Sequence, residues 1–415
     1  MVAANEVVNS PLTNILTKED IIALGDEVRM VDAESSTNLE LFCYNHCSAT
    51  DSLELKSCRG VVFDGEKLVL QAFPYTTELT SIDHKEISEI PLDQVRIFTS
   101  HEGTLLRVFY YNDKWVISTH RKLDAFRSKW ASRESFGETF VKSLNTLYTV
   151  NNRFGDLINN ASAENPNILD KFLSTLDKNN KYMFLVRPNT ENRIVCNAPE
   201  VDMLFHVGTF KGNVLDLDVD CGVPHSPEHK FASHDQLFDY LANVNIKDTQ
   251  GLICFSRDNT QTKLVSKKYS DLFNARGNEP SLKFRYLQVR GNRQTVDELM
   301  YLYPRMETTF IRIENSIYEI AKNIYTSYVS RFIKKHFVTV PVEEFAVIRE
   351  CHSWHNEDRS MNRISIEKVL EVLNKQNPTK INKMLRRYRN ERETLKSIQV
   401  NNEVRDRSHT LTLGE

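Results

Sequence analysis

The stretch that decides the fold runs Val95-Arg96-Ile97-Phe98-Thr99-Ser100-His101-Glu102-Gly103-Thr104-Leu105-Leu106-Arg107-Val108-Phe109-Tyr110. Two runs of β-branched, aromatic and aliphatic residues flank four residues with turn character, so it reads as strand, tight turn, strand. The same pattern continues outward on both sides. Upstream, Val61-Val62-Phe63 and Leu68-Val69-Leu70-Gln71-Ala72-Phe73 bracket Asp64-Gly65-Glu66, a hairpin signal. Downstream, Asn112-Asp113-Lys114 separates Val108–Tyr111 from Trp115–Thr119. Helical spacing takes over across 122–175, from Leu123 through Phe126, Trp130 and Phe140 to Leu144. Strands return at Tyr182–Val186, Arg193–Cys196, Met203–Val207, Gly251–Phe255 and Thr262–Val265, and a short helix begins at His234.

Beyond about residue 295 the strand pattern stops. Val296–Phe337, Val342–Cys351 and Ile364–Lys396 have helical spacing with few Gly or Pro. The expected fold class is α+β: antiparallel sheets with flanking helices over 1–290, then an all-α domain over 295–415.

The chain has 415 residues, 40% apolar and 26% charged, which fits a packed core rather than disorder. Net charge is −3, so any nucleic-acid surface must be local. Seven scattered cysteines suit a reducing compartment better than a disulfide framework. The first residues carry no basic segment followed by an apolar run, and no stretch approaches ~18 consecutive apolar residues. Neither a leader nor a membrane contact is expected; the expected location is the cytoplasm, or a virion or viral factory within it.

Five segments, in order and spacing, resemble the bacteriophage-type RNA ligase family of covalent nucleotidyltransferases over about the first two-thirds of the chain. Cys58-Arg59-Gly60-Val61-Val62-Phe63 is similar to the Arg-Gly strand beside the nucleotide, and Ser100–Leu105 to the Lys-x-Asp-Gly-Ser/Thr-Leu nucleophile loop. Phe184-Leu185-Val186 with Asn192-Arg193-Ile194-Val195 is similar to the Glu-containing strand and its Asn-Arg-Ile-Val continuation. Gln250-Gly251-Leu252-Ile253 is similar to the Glu-Gly-x-Val metal-site strand, and Lys263–Tyr269 to the Lys-x-Lys-Ser-x-x-Tyr phosphate strand. The resemblance implies a nucleotidyltransferase core that uses ATP and Mg²⁺.

Each departure falls where that chemistry needs a particular group. Ser100 stands for the lysine that would form a phosphoramidate with AMP, and has no nitrogen to do it. Phe184 stands for the nucleotide-contacting Glu. Gln250 stands for the metal-ligating Glu, and a neutral amide is a weak Mg²⁺ ligand. Val265 stands for the second phosphate-binding lysine and cannot neutralise developing charge. Catalytic groups that act as a unit fail together, so a degenerate member is expected, with no cofactor.

Lys85, Lys114 and Lys122 are candidates for a relocated nucleophile. Arg59, Asn192, Arg193 and Lys263 could keep a basic cleft for a nucleotide or RNA end, or satisfy polar groups of the scaffold. Phe184 is expected to fill a vacated pocket rather than stack on a base. Ser100, His101, Glu102 and His120 invite a Ser-His-acid reading, which is set aside because residues adjacent in a turn rarely point at one another; His101 is expected to be exposed. Cys43, His46, Cys47 and Cys58 lack the paired spacing of a zinc site and are expected in the core, so no metal is expected. The C-terminal run Lys380–Arg392 has a basic helix face carrying Arg386, Arg387 and Arg389, able to neutralise RNA phosphates or to dock on an acidic protein surface.

Three functions fit this reading. The leading one is a ligase-like pseudoenzyme kept for RNA or protein binding. The others are an active ATP-dependent RNA ligase with a relocated nucleophile, and a structural or assembly component of a large DNA virus.

Overall fold

A computed structural model describes residues 14–151, 168–190, 194–256 and 259–411. The fold is α+β and divides into two compact units, residues 1–274 and 275–415.

The first unit holds three sheets. One has the order β1 (Val28–Glu34), β2 (Leu39–Tyr44), β3 (Arg59–Asp64), β4 (Lys67–Leu70). The second has the order β11 (Val214–Asp216), β10 (Met203–Lys211), β9 (Asn180–Arg187), β7 (Thr104–Tyr111), β8 (Lys114–Ser118). The third has the order β12 (Glu228–His229), β6 (Arg96–Ser100), β13 (Gly251–Phe255), β14 (Gln261–Val265), β5 (Thr76–Thr80). All pairings are antiparallel except β14 with β5. The decisive stretch is therefore not a hairpin. Its two strands, β6 and β7, enter different sheets, and Ser100 to Thr104 is the crossing point.

Alternation of side chains along each strand explains the layering. Leu41, Val62, Phe98, Phe109, Met183, Phe210 and Phe255 come from all three sheets and form one core between them. The opposite face of the second sheet packs Leu106, Val108, Phe184 and Val186 against the helices Phe136–Asn151 and Ile168–Ser174. The opposite face of the third sheet packs Ile97, Leu252, Cys254 and Leu264 against Leu237 and Leu241 of the helix His234–Asn243. That helix starts where Ser233 Oγ accepts the Gln236 N–H.

Two sequence expectations fail in this unit. Residues 122–135 are mostly irregular, with a single 3₁₀ turn at Ala125–Arg127. Ile194, Val195 and Cys196 form no strand, because their N–H groups go to a side chain rather than to a neighbouring strand.

The second unit is all helical, with helices at Leu282–Val289, Arg293–Leu302, Glu307–Tyr328, Val342–Glu357, Ile366–Asn374 and Pro378–Leu411. Phe310, Ile317, Ile324, Val347, Ile348, Val369 and Ile381 are buried at helical spacing. Among the described residues, no helix is long and apolar enough to cross a membrane.

Candidate functional site

The register of the third sheet sets the site. Residues paired across strands share a face. Ser100 pairs with Gly251, and Gly251 pairs with Val265, so these three form one row on the face toward the inter-sheet core. The next row on that face is Phe98, Ile253, Lys263 and Glu78. The one after ends in Gln261 and Thr76. Three of the expected site positions, Ser100, Val265 and Lys263, thus lie on one face, and Gln250 stands at its edge.

Ser100 is buried, and its hydroxyl donates to Gln250 Oε1 at 3.1 Å. The Ser100 carbonyl accepts from the Gln250 N–H at 2.9 Å and from Thr249 Oγ1 at 2.5 Å. Val265 is also buried. The row and the Gln250 beside it offer a neutral hydroxyl, a neutral amide and an aliphatic group. They contain neither an amine nor a carboxylate, so these residues do not fit a Mg²⁺ ion.

Arg59 reaches the same face from β3. Its Nη1 donates to the Pro74 carbonyl at 3.1 Å and to Thr76 Oγ1 at 3.0 Å, and Thr76 Oγ1 donates to Gln261 Oε1 at 3.1 Å. Lys263 is half-buried. Burial lowers its pKa, opposed by Glu78 and Glu102 and reinforced by Arg59. Arg59 and Lys263 are therefore close enough to feel each other's charge. Asn192 and Arg193 lie outside the described residues.

Phe184 is not at this face. Its ring sits in the helical core, 5.6 Å from Phe140 and 5.7 Å from Phe172. It neither lines nor fills a space between the sheets. Strand alternation gives that side to Met183 and Leu185 instead.

His101 is half-buried rather than exposed. It stacks on Phe205 with centroids 4.7 Å apart, and its Nδ1 accepts from Arg187 Nη1 at 3.2 Å. Burial and the Arg187 charge push its pKa down to about 4. Glu102 is buried, and its carboxylate accepts the N–H groups of Ile194, Val195 and Cys196 at 3.0, 2.7 and 3.0 Å, and the Tyr269 hydroxyl at 3.0 Å. The sequence reading assigned Glu102 no such role; the one available signal was its place beside Gly103. Gly103 itself is required there, since a Cβ would lie 2.5 Å from the Val186 carbonyl oxygen.

The relocated-nucleophile candidates are engaged or remote. Lys122 Nζ is 3.2 Å from Asp32, Lys114 Nζ is 3.9 Å from Glu34, and Lys85 is exposed on the helix His84–Ser88. Cys43, Cys47 and Cys58 are free thiols, with Cys43 and Cys58 buried. Among the described residues, no group of three or more His, Cys, Asp or Glu is placed to hold a metal ion.

In the second unit the three basic candidates separate. Arg386 and Arg389 are exposed. Arg387 is not available: its guanidinium donates to Glu343 at 2.8 Å and Glu344 at 3.4 Å on the helix Val342–Glu357. Lys380, Lys383 and Arg392 are exposed on the helix that carries them.

No family model matches the chain. It is similar to the immediate-early protein ICP-46 homolog of invertebrate iridescent virus 6, 28% identical over 373 residues, which covers 84% of this chain and 80% of that protein. The homolog of invertebrate iridescent virus 3 is 27% identical, over 84% of this chain and 77% of its own length. Immediate-early protein ICP-46 of frog virus 3 is 25% identical, over 59% and 62%. Among solved structures, an archaeal ATP-dependent RNA ligase superposes with a TM-score of 0.39 at 11% identity, covering 71% of this chain and 77% of that one. An Aquifex aeolicus protein assigned as an ATP-dependent DNA ligase gives 0.38 at 16% identity, over 79% and 84%.

Proposed function

We propose that this chain is an RNA-ligase-like viral protein that has lost lysine adenylylation and acts in the cytoplasm, or in a viral factory or virion within it, by binding RNA. One observation carries the reading. At the position where the resemblance calls for a nucleophilic lysine, the Ser100 hydroxyl is buried and donates to Gln250, with Val265 completing the row. A hydroxyl held this way has no base to remove its proton. RNA is the favoured ligand because Arg59 and Lys263 stay together on that face, and Arg386, Arg389 and Arg392 are exposed in the second unit.

A second reading has its own observation. Lys263 faces the same side one row from Ser100, and burial lowers its pKa, as a nucleophilic amine requires. In that case its Nζ would attack the α-phosphate of ATP, lose a proton and expel pyrophosphate.

One experiment separates the two. The protein is incubated with α-labelled ATP and Mg²⁺ and run on a denaturing gel. The expected result is no covalent label, together with a salt-dependent shift of single-stranded RNA. A label that disappears in Lys263→Ala overturns the pseudoenzyme reading. Absence of both label and shift overturns RNA binding and leaves an assembly role with a protein partner.

A further inference from the structure

Several of the arginines that pack across elements in this molecule meet carboxylates. Arg96 meets Glu228 and Asp218, Arg290 meets Glu314, and Arg387 meets Glu343. Arg187 instead donates to His101 and to the carbonyls of Asp248 and Asn197, and four further arginines of the first unit converge at one locus without a carboxylate. Among the described residues, Arg29, Arg59, Arg107 and Arg121 have no carboxylate at ion-pairing distance. A shortage of acids is not the cause, since the chain has 56 acidic and 53 basic residues.

The fold brings these four together. Arg29 pairs with Cys43 and Cys43 pairs with Arg59, so the three share one face across β1, β2 and β3. The Cys43 thiol lies within the charge fields of Arg121, Arg107 and Arg59. Arg107 enters from β7, fully buried, donating to Ser118 Oγ at 3.2 Å and to the carbonyls of Gly60 and Thr119. Gly60, at φ +74°, admits it: a Cβ there would lie 2.7 Å from Arg107 Nη1 and 2.7 Å from His120 Cα. His120, beside Arg121, is exposed at the rim, as is Arg29. Neutral acceptors hold Arg59 and Arg107 in place but leave the summed positive charge uncompensated. Planar guanidinium groups at one locus are the donors that match tetrahedral oxyanions.

We propose that Arg29, Arg59 and Arg121, backed by the buried charge of Arg107, form an oxyanion site that takes a phosphate group, supplied by an RNA backbone or by a free polyphosphate. The site depends on the RNA-binding reading only for the source of the phosphate.

The test uses the full chain and two probes: a fluorescein-labelled 20-nucleotide single-stranded RNA, followed by anisotropy across a NaCl series, and inorganic pyrophosphate, followed by calorimetry. Arg29→Gln and Arg121→Gln are the variants, because both side chains reach solvent and neither anchors the core. Each is expected to weaken whichever probe binds by about tenfold, and for RNA to lower the salt slope by about one. Arg121-dependent pyrophosphate binding without RNA binding identifies a free polyphosphate as the source and counts against the RNA reading alone. The site is overturned if neither probe binds, or if both variants bind within twofold of the parent.

Discussion

The hydroxyl of Tyr269 donates to Glu102 Oε1 at 3.0 Å, joining residues 167 positions apart in the chain. The same carboxylate oxygen accepts the N–H groups of Val195 and Cys196. One buried anion thus ties the turn after β6, the segment at 194–196 and the helix Lys267–Arg276 into a single block. Tyr269→Phe removes one bond to a charged acceptor and is expected to cost about 1.5–3 kcal/mol. Glu102→Ala strands the three N–H donors and is expected to cost at least as much again. Urea unfolding followed by hydrogen exchange of strand peptides measures both. Equal, small effects would refute the shared-anchor account.

Placing an amine at position 100 is not expected to produce adenylylation. In Ser100→Lys an ammonium would enter a buried row beside Gly251 and Val265, with no carboxylate in the row to receive it. Loss of several kcal/mol of stability is expected, without covalent AMP in the labelling assay. A stable, labelled variant would show that the site has room and partners for the lysine.

Histidines held below their ordinary pKa, His101 and His206 among them, make the first unit sensitive to acid. Burial and Arg187 push His101 down to about 4; burial and His225 push His206, which bonds Thr209 at 2.8 Å, down to about 3. The unfolded chain takes up these protons below about pH 6.5, whereas the native chain resists until far lower pH. Stability is therefore fully present above that value and falls as pH drops through it. At pH 5 the loss is about 2 kcal/mol per site as an upper figure, smaller for the half-buried His101. Denaturation midpoints at pH 7.5 and pH 5 measure it, and His206→Asn is expected to flatten the difference.

Arg387 and its neighbours are expected to differ in kind. Arg387→Ala breaks pairs with Glu343 and Glu344 and is expected to cost up to about 1 kcal/mol at these partly exposed positions, with RNA affinity unchanged. Arg386→Gln with Arg389→Gln is expected to leave stability unchanged and weaken RNA binding several-fold. Anisotropy and thermal unfolding on the same samples separate the two; the reverse pattern would move the RNA surface elsewhere.

Much of the architecture was legible because it is written in local pattern. Alternation located β6, β7, β8, β9, β10, β13 and β14, and the change to helical spacing marked the C-terminal helical region. The resemblance to the ligase pattern also marked Ser100, Gln250 and Val265 as departures from it, a reading that rests on side-chain identity and needs no coordinates. What the fold decided depends on partners distant in the chain. Phe184 belongs to the helical core because its strand alternates against Met183. His101 is half-buried because Phe205 and Arg187 close on it. Ile194–Cys196 bond a carboxylate instead of a strand, and Arg387 is engaged by Glu343 while Arg386 is exposed. The arginine cluster assembles from positions 29 to 121 only when two sheets meet. Periodicity records which face of an element is apolar; which charge answers which is settled only when the elements pack.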